Sequence, residues 1–106
     1  MFDNCTKFNS DLSKWNVSNV RNMRSMFCYC SQFRGSGLKN WDVSNVTNMS
    51  FMFSVCDNFF GKELDKWDVS NVKDMKFMFS YCENFVSKGL ENWNVSNVRN
   101  MSYMFY

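Results

Sequence analysis

The residues of this sequence best suited to chemistry are its five cysteines, because thiolates serve as nucleophiles, metal ligands and redox partners. Four of them, Cys5, Cys30, Cys56 and Cys82, follow one another at steps of 25, 26 and 26 residues, and Cys28 forms a C-x-C pair with Cys30. Later copies carry serine at the position of Cys28, which argues against zinc. We interpret the recurring cysteines as reduced, buried thiols that pack as small hydrophobic residues, with a disulfide between neighbouring copies as the alternative.

No other set of residues has the pattern of a catalytic or metal-binding site. The sequence contains no His, no nucleophile beside a base and no glycine-rich phosphate loop. Asp42 and Asp68 share a repeat position with Asn16 and Asn94, which we interpret as a solvated face, with calcium binding as the weaker alternative. The methionines recur at a spacing typical of core filler. We therefore predict a protein that is not an enzyme and that needs no metal or other cofactor.

The composition bears on two further classes of partner. Twelve Lys and Arg against ten Asp and Glu give a net charge of +2, which is too balanced to favour nucleic-acid binding. No apolar run approaches the roughly 20 residues that a membrane-spanning helix needs. With 45% hydrophobic residues the chain can bury a core, so we expect an ordered domain.

A 26-residue repeat positions all of these residues. The phrase W-[DN]-V-S-N-V begins at Trp15, Trp41, Trp67 and Trp93. The first copy is one residue shorter between Phe8 and Leu12, where later copies contain glycine, and this combination marks a loop. A phrase that recurs at a fixed step is typical of a structural unit rather than of a catalytic motif.

Each repeat is predicted to contain a short strand, a helix cap, a short helix and a loop. Trp15 and Val17 alternate with polar residues, which favours a strand. Apolar residues at positions 20, 23, 26, 27 and 30 favour one face of a helix, and Ser18 and Asn19 precede it as caps. Such units bury their apolar faces only by stacking. The residues that we expect to be buried beside their equivalents are Trp41, Val43, Met49, Met52, Phe53 and Cys56.

The pattern F-x-x-x-L-x-x-W-x-V-S-x-V-x-x-M-x-x-M-F-x-x-C resembles the BspA-like surface-protein repeats, which are also catalogued as a domain of unknown function first described in mycoplasma proteins. Residues 8–20, FNSDLSKWNVSNV, are especially close to it. The resemblance implies an α/β repeat fold, namely a right-handed leucine-rich-repeat-like solenoid of about four 26-residue coils, each with a short strand and a short helix. It brings no established catalytic residues.

We expect residues 1–106 to form a single solenoid domain without its caps. Met1-Phe2 and Met104-Phe105 both match the Met-Phe pair of the repeat, so the sequence opens and closes midway through a copy. Polar caps normally cover the end coils of a solenoid. We therefore predict either a fragment of a longer array or a chain whose ends are covered by another chain, which could be a copy of itself.

Aromatic residues supply the candidate protein interface. On an ideal helix, position 25 of the repeat points away from the apolar face, position 29 lies nearby, and basic residues border both. The candidate residues are Phe51, Phe77, Tyr103, Tyr29, Tyr81, Arg21, Lys73 and Arg99. Aromatic residues and arginine are enriched where proteins meet. In the alternative interpretation the segment is wound differently, and these rings tuck against the next copy.

These observations favour a non-enzymatic binding or structural module of a surface protein, engaged in protein–protein interaction or adhesion. We expect it at the cell surface or outside the cell, with another protein chain as its partner and with neither nucleic acid nor a direct membrane span. The alternative is a structural component of a large virus particle or other multi-subunit assembly, located in the virion.

Overall fold

Turns and irregular loops form almost all of the backbone in the computed structural model, which describes residues 2–106. Two 3₁₀-helices, Leu38–Asn40 and Leu90–Asn92, each follow a glycine with a positive φ angle. Four residues at one repeat position form isolated parallel β-bridges from each copy to the next: Asn22, Asn48, Asp74 and Asn100. The repeats, residues 15–40, 41–66, 67–92 and 93–106, therefore lie side by side in chain order, with residues 2–14 against the first.

The predicted α/β solenoid of short strands and short helices is wrong. Residues 2–106 contain no α-helix, no strand longer than a single bridge residue and no sheet, and they form a compact globule built mostly of loops. The predicted caps also act differently, because Ser18 bonds to the side chain of Asn16 and not to a helix end.

Left-handed backbone conformations explain why the predicted helix is absent. Ser25, Tyr29, Phe51 and Phe77 have φ angles between 55° and 63°, and their equivalents in the other repeats share this conformation. A residue with positive φ ends a right-handed helix. The segment is instead a series of β-turns in which the N–H of each fourth residue donates to the first carbonyl, as Cys30 does to Phe27 at 3.0 Å.

The predicted strand is absent because a polar side chain bends the backbone within it. Asp42 Oδ1 accepts hydrogen bonds from the N–H of Ser44 at 3.0 Å and from its hydroxyl at 2.6 Å. This is the side-chain-to-backbone turn that Asp and Asn favour. Asp68 and Ser70 repeat it at the same distances. The alternation of Trp and Val therefore reflects one buried residue just before the turn and one buried residue within it.

Hydrogen bonds between repeats take the place of bonds within secondary structure. Alternate N–H groups of residues 49–55 donate to the next repeat at 2.8 to 2.9 Å, and the donor–acceptor pairs are Met49–Asp74, Phe51–Lys76, Phe53–Met78 and Val55–Ser80. The amide of Asn71 donates to the Ser44 carbonyl at 2.7 Å, and the indole of Trp67 donates to the Leu38 carbonyl at 2.8 Å. The repeated phrase therefore contains core residues, an Asp or Asn and a Ser that form a local turn, and donors that join one repeat to the previous one.

The core runs through all repeats, and the predicted buried residues are confirmed. Trp41, Val43, Met49, Met52, Phe53 and Cys56 are all buried. Phe53 lies between its equivalents Phe27 and Phe79, with ring centroids 5.5 and 5.7 Å apart. Parallel indoles of Trp41 and Trp67 lie 6.5 Å apart. Equivalent residues thus meet across neighbouring repeats, which is what the period of the sequence requires.

Candidate protein-binding surface

Three of the predicted interface residues form one continuous stack of rings, which we call the aromatic column: Phe51, Phe77 and Tyr103. The centroids of Phe51 and Phe77 lie 4.8 Å apart, and those of Phe77 and Tyr103 lie 4.9 Å apart. Both phenylalanines are half-buried, and Tyr103 is 58% exposed. The rings therefore pack against their equivalents, as in the alternative interpretation, and the column still reaches solvent.

The left-handed backbone sets the direction of the column. Phe51, Phe77 and Tyr103 all have φ angles between 55° and 60°, and the N–H groups of Phe51 and Phe77 donate to carbonyls of the next repeat. Side chains at successive equivalents then leave the backbone in the same direction. The hydrogen bonds between repeats offset the cost of holding bulky residues at positive φ.

The predicted tyrosines lie beside the column and are exposed. Tyr29 and Tyr81 occupy one repeat position, with the half-buried Val55 between them. The ring of Tyr106 lies edge-on to Tyr81 at 5.3 Å and to Tyr103 at 5.4 Å, so it joins the two positions into one patch. Partial desolvation and the hydroxyl of Tyr106 raise the pKa of Tyr81. Sequence reasoning missed Tyr106, because earlier repeats carry only cysteine and serine at its position.

The predicted basic residues are exposed and linked through their backbones. Arg21, Lys73 and Arg99 share a repeat position with Thr47, and successive members are joined by N–H to carbonyl bonds of 2.8 Å. A further cation was missed. The guanidinium carbon of Arg24 lies 5.3 Å from the centroid of Phe51, within cation–π range. Arg24 directly precedes position 25 of the repeat, and this proximity to the aromatic position could have identified it from the sequence.

The cysteines other than Cys5 are partly or fully buried, and three of them join repeats. The thiols of Cys30, Cys56 and Cys82 donate to phenylalanine carbonyls of the preceding repeat at 2.8 to 2.9 Å. Burial raises the pKa of Cys30 and of Cys82 to about 11 and raises that of Cys56 further, so these thiols stay protonated at neutral pH. This arrangement does not suit thiolate chemistry.

The prediction for Cys5 was wrong, because Cys5 is exposed. The other thiols of this repeat position are covered by a carbonyl of the preceding repeat, and residues 2–106 include no earlier repeat to cover Cys5. The reduced state of all five cysteines stays a prediction, and thiol titration of the unfolded protein without reductant, which should find five thiols, would test it.

The acidic residues that suggested calcium as an alternative already have partners. The hydroxyl and the N–H of Ser44 lower the pKa of Asp42, and Ser70 lowers that of Asp68 in the same way. Within residues 2–106, no three His, Cys, Asp or Glu side chains are grouped so that they could hold a metal ion. These carboxylates act as turn residues, and Asp42 and Asp68 are both exposed as predicted.

A groove between the loops of two repeats is a further surface feature that the sequence did not indicate. It has a volume of about 600 Å³ and is lined by the exposed apolar residues Phe60 and Val86 together with Lys62 and Lys88. Asp65 and Glu91 also line it, so positive and negative charges balance. No charge preference for a ligand follows from this groove.

These features define a protein of 26-residue repeats with an exposed aromatic surface. A family model described as "Mycoplasma protein of unknown function, DUF285" matches residues 1–106, and the chain belongs to that family. A search of the curated proteins gave no match, and a search of the solved structures also gave none. Over the described residues, no helix has the length and apolar character needed to cross a membrane.

Proposed function

We propose that this protein is a non-enzymatic binding module that docks another protein chain through the aromatic column and the tyrosines beside it. The observation that carries the proposal is the continuity of the patch. Phe51, Phe77 and Tyr103 stack without a gap, and Tyr106 extends the patch to Tyr81. Continuous exposed apolar patches mark interaction sites, and tyrosine and arginine are enriched among the residues that contribute most to binding.

The cations in the same segments of the repeats favour a partner with acidic groups. Arg24 lies over Phe51, and Arg21, Lys73 and Arg99 are exposed in the same segments of their repeats. A partner with an apolar centre and carboxylates at its margin would complement this surface. The marginal charges would mainly affect the association rate and its salt dependence.

The polar positions before the phrase V-S-N-V are a weaker candidate. Asn16, Asp42, Asp68 and Asn94 use their side-chain oxygens to accept bonds from the serine two residues later. This position has no aromatic side chain that could anchor a partner. The aromatic column is therefore the better interface.

The sequence pattern supports a finer assignment within this proposal. We infer that the chain is a BspA-like repeat module of a surface protein, located at the cell surface or outside the cell, because residues 8–20 follow that repeat pattern closely. A structural component of a large virus particle or other multi-subunit assembly is the second candidate.

The test compares one triple variant with a matched control in capture from host extracts. The triple variant is Phe51→Ser, Phe77→Ser and Tyr103→Ser, and the control is Lys14→Ser with Lys66→Ser, two exposed residues of a polar repeat position. We expect a protein that is retained by the wild type and by the control and lost with the triple variant. Urea midpoints measured beforehand establish that both variants are folded. Equal retention by all three proteins would exclude the aromatic column as the interface.

A further inference from the structure

The surface that contains the aromatic column has margins of opposite charge. Positions 21 and 24 of the repeat precede the column, and we call their cations the cationic margin: Arg21, Arg24, Lys73, Lys76 and Arg99. Position 31 follows the tyrosine position, and we call its carboxylates the acidic margin: Asp57 and Glu83. Lys76 and Asp57 are half-buried, and the other five residues are exposed.

The course of the backbone places these margins on opposite sides of the aromatic residues. Along residues 75–81, alternate N–H groups donate to the next repeat at 2.9 to 3.0 Å, so neighbouring repeats run side by side across this surface. Phe77 and Tyr81 lie within that segment and reach solvent. Lys73 lies two residues before the segment and Glu83 two residues after it. A crossing of the surface along one repeat therefore passes from a cation over two rings to a carboxylate.

The cationic margin has little negative charge of its own. The carboxylate of Asp74 lies within it, and its Oδ1 already accepts the N–H of Lys76 at 3.0 Å. Arg24 extends over the ring of Phe51. Five cations therefore share this margin with one carboxylate, and a partner that brings further carboxylates to it would be favoured.

The rings of the column present their edges to a partner and not their faces. Phe51 and Tyr103 cover the two faces of Phe77, and Arg24 lies over the ring of Phe51. A nucleic-acid base needs an open ring face on which to stack, so the column does not suit one. Tyr81, in contrast, is 55% exposed. Aromatic rings pair favourably edge to face, so the edges of the column suit exposed rings of this kind.

We propose that the partner of the aromatic column is a second copy of this chain, and that the two copies form a dimer whose two-fold axis is parallel to the direction in which the repeats stack. This inference rests on the proposed function, because it identifies the partner of the same surface. A two-fold contact brings the same surface of both copies together. With the axis in this direction, the cationic margin of each copy faces the acidic margin of the other, and the aromatic residues of both copies meet between the margins.

The charges select this orientation over the other two-fold arrangement. An axis that ran across the repeats would place one cationic margin on the other, and like charges across an interface disfavour binding. In the favoured orientation, each repeat faces the same repeat of the second copy. Lys73 then lies opposite Glu83 of the second copy, and Phe77 lies opposite Tyr81 of the second copy. Because the relation is reciprocal, each of these contacts occurs twice.

A second copy is the occupant because it supplies both features that this surface requires. It has an apolar centre of exposed and half-buried rings, and it has carboxylates along one margin. It also has the same spacing from repeat to repeat, which is 4.8 Å between the rings of Phe51 and Phe77. These residues lie along the side of the stacked repeats, so additional repeats before or after them would extend the surface without covering it.

The test reverses one charge on each margin. Lys73→Glu and Glu83→Lys both change exposed residues, so folding should tolerate them, and urea midpoints check this. For the wild type, sedimentation velocity should show a mass that rises with concentration toward that of a dimer. Each reversal places like charges opposite each other at both symmetric contacts, so it should raise the dimer dissociation constant roughly tenfold. Tyr81→Asp should weaken the dimer further, because it places a carboxylate between the aromatic residues.

Mixing the two charge-reversal variants tests the orientation. In a mixed dimer, Glu at position 73 faces Lys at position 83 and the other contact is that of the wild type, so the dissociation constant should return to the wild-type value. Isotope labelling of one variant lets native mass spectrometry count the mixed dimers. The matched control is Lys66→Glu, an exposed residue outside this surface with the same change of charge. It should dimerise as the wild type does, and it should form fewer mixed dimers with Glu83→Lys than Lys73→Glu does.

Four outcomes would overturn the dimer. They are a wild type that stays monomeric at every concentration, unchanged dimerisation of Lys73→Glu or of Glu83→Lys, a mixture of these two variants that dimerises no better than either alone, and a loss of dimerisation in Lys66→Glu. A monomeric wild type that still retains a protein from host extracts would overturn the dimer and leave the proposed function intact.

Discussion

The indole of Trp41 should be among the most stabilising side chains of the fold, and removing it tests how neighbouring repeats hold together. Trp41 is 4% exposed, its ring lies 6.0 Å from Phe27 and 6.5 Å from Trp67, and its N–H donates to the Leu12 carbonyl at 3.0 Å. Replacing a buried Trp with Ala costs roughly 3–5 kcal/mol. About 1 kcal/mol of this is the lost hydrogen bond. Trp41→Phe, which keeps an aromatic ring, should therefore cost about 1–2 kcal/mol.

Trp15 provides a control at the same repeat position. It is 41% exposed, and its indole has no acceptor within residues 2–106, so Trp15→Ala should cost about 1 kcal/mol. The free energy of unfolding is measured by urea denaturation, followed through the fluorescence of the three remaining tryptophans. If Trp41→Ala and Trp15→Ala destabilise the protein equally, the contact of the indole with the neighbouring repeats does not stabilise the fold.

Three further changes test the turns and the contacts between repeats. Burial raises the pKa of Cys30 and Cys82 to about 11. Between about pH 9 and 11 the thiols of the unfolded chain therefore lose their protons while those of the folded chain keep them, and the free energy of unfolding, measured by urea titration, should fall over this range. Asn71→Ala should cost about 1 kcal/mol in the same assay, because its amide bonds to the previous repeat, while Asn19→Ala should be nearly neutral. Gly37→Ala should lower the thermal midpoint by several degrees, because φ is 90° and a Cβ would meet the backbone of the preceding segment, and an unchanged midpoint would contradict this.

The contacts between equivalent residues could be predicted from the sequence, whereas the backbone conformation could not. Trp41, Met49 and Phe53 are buried beside their equivalents because the 26-residue step alone requires it. The apolar spacing of three and four residues within a repeat fits one face of a helix, but it also fits a series of β-turns. Periodicity does not distinguish the two when a segment spans only about three turns of helix.

The left-handed conformations are what make the segment a series of β-turns and not a helix. The intrinsic backbone preference of residues such as Phe disfavours these conformations. Phe51 and Phe77 adopt φ angles of 59° and 55°, which non-glycine residues visit at a cost on the order of 1–2 kcal/mol. In this conformation their N–H groups donate to carbonyls of the next repeat. Partners distant in sequence therefore override local preference, and a single repeat carries no sign of this. Phe51 and Phe77 could be predicted as surface residues because an aromatic residue recurs at their repeat position. Tyr106 could not, because no other repeat has an aromatic residue at its position.

The hydrogen bonds between repeats also determine the entropy cost of folding this chain. Met49 pairs with Asp74 and Trp67 with Leu38, so each bond closes a loop of about one repeat length. Closing a loop of that size costs on the order of 3 kcal/mol of chain entropy, and the cost does not increase when more repeats are added. The first step of folding should therefore be slow, because joining the first two repeats costs this chain entropy and buries little apolar surface. Adding each further repeat to the folded pair should be fast. A longer chain of these repeats would gain stability with each repeat while its slowest folding step stayed the same.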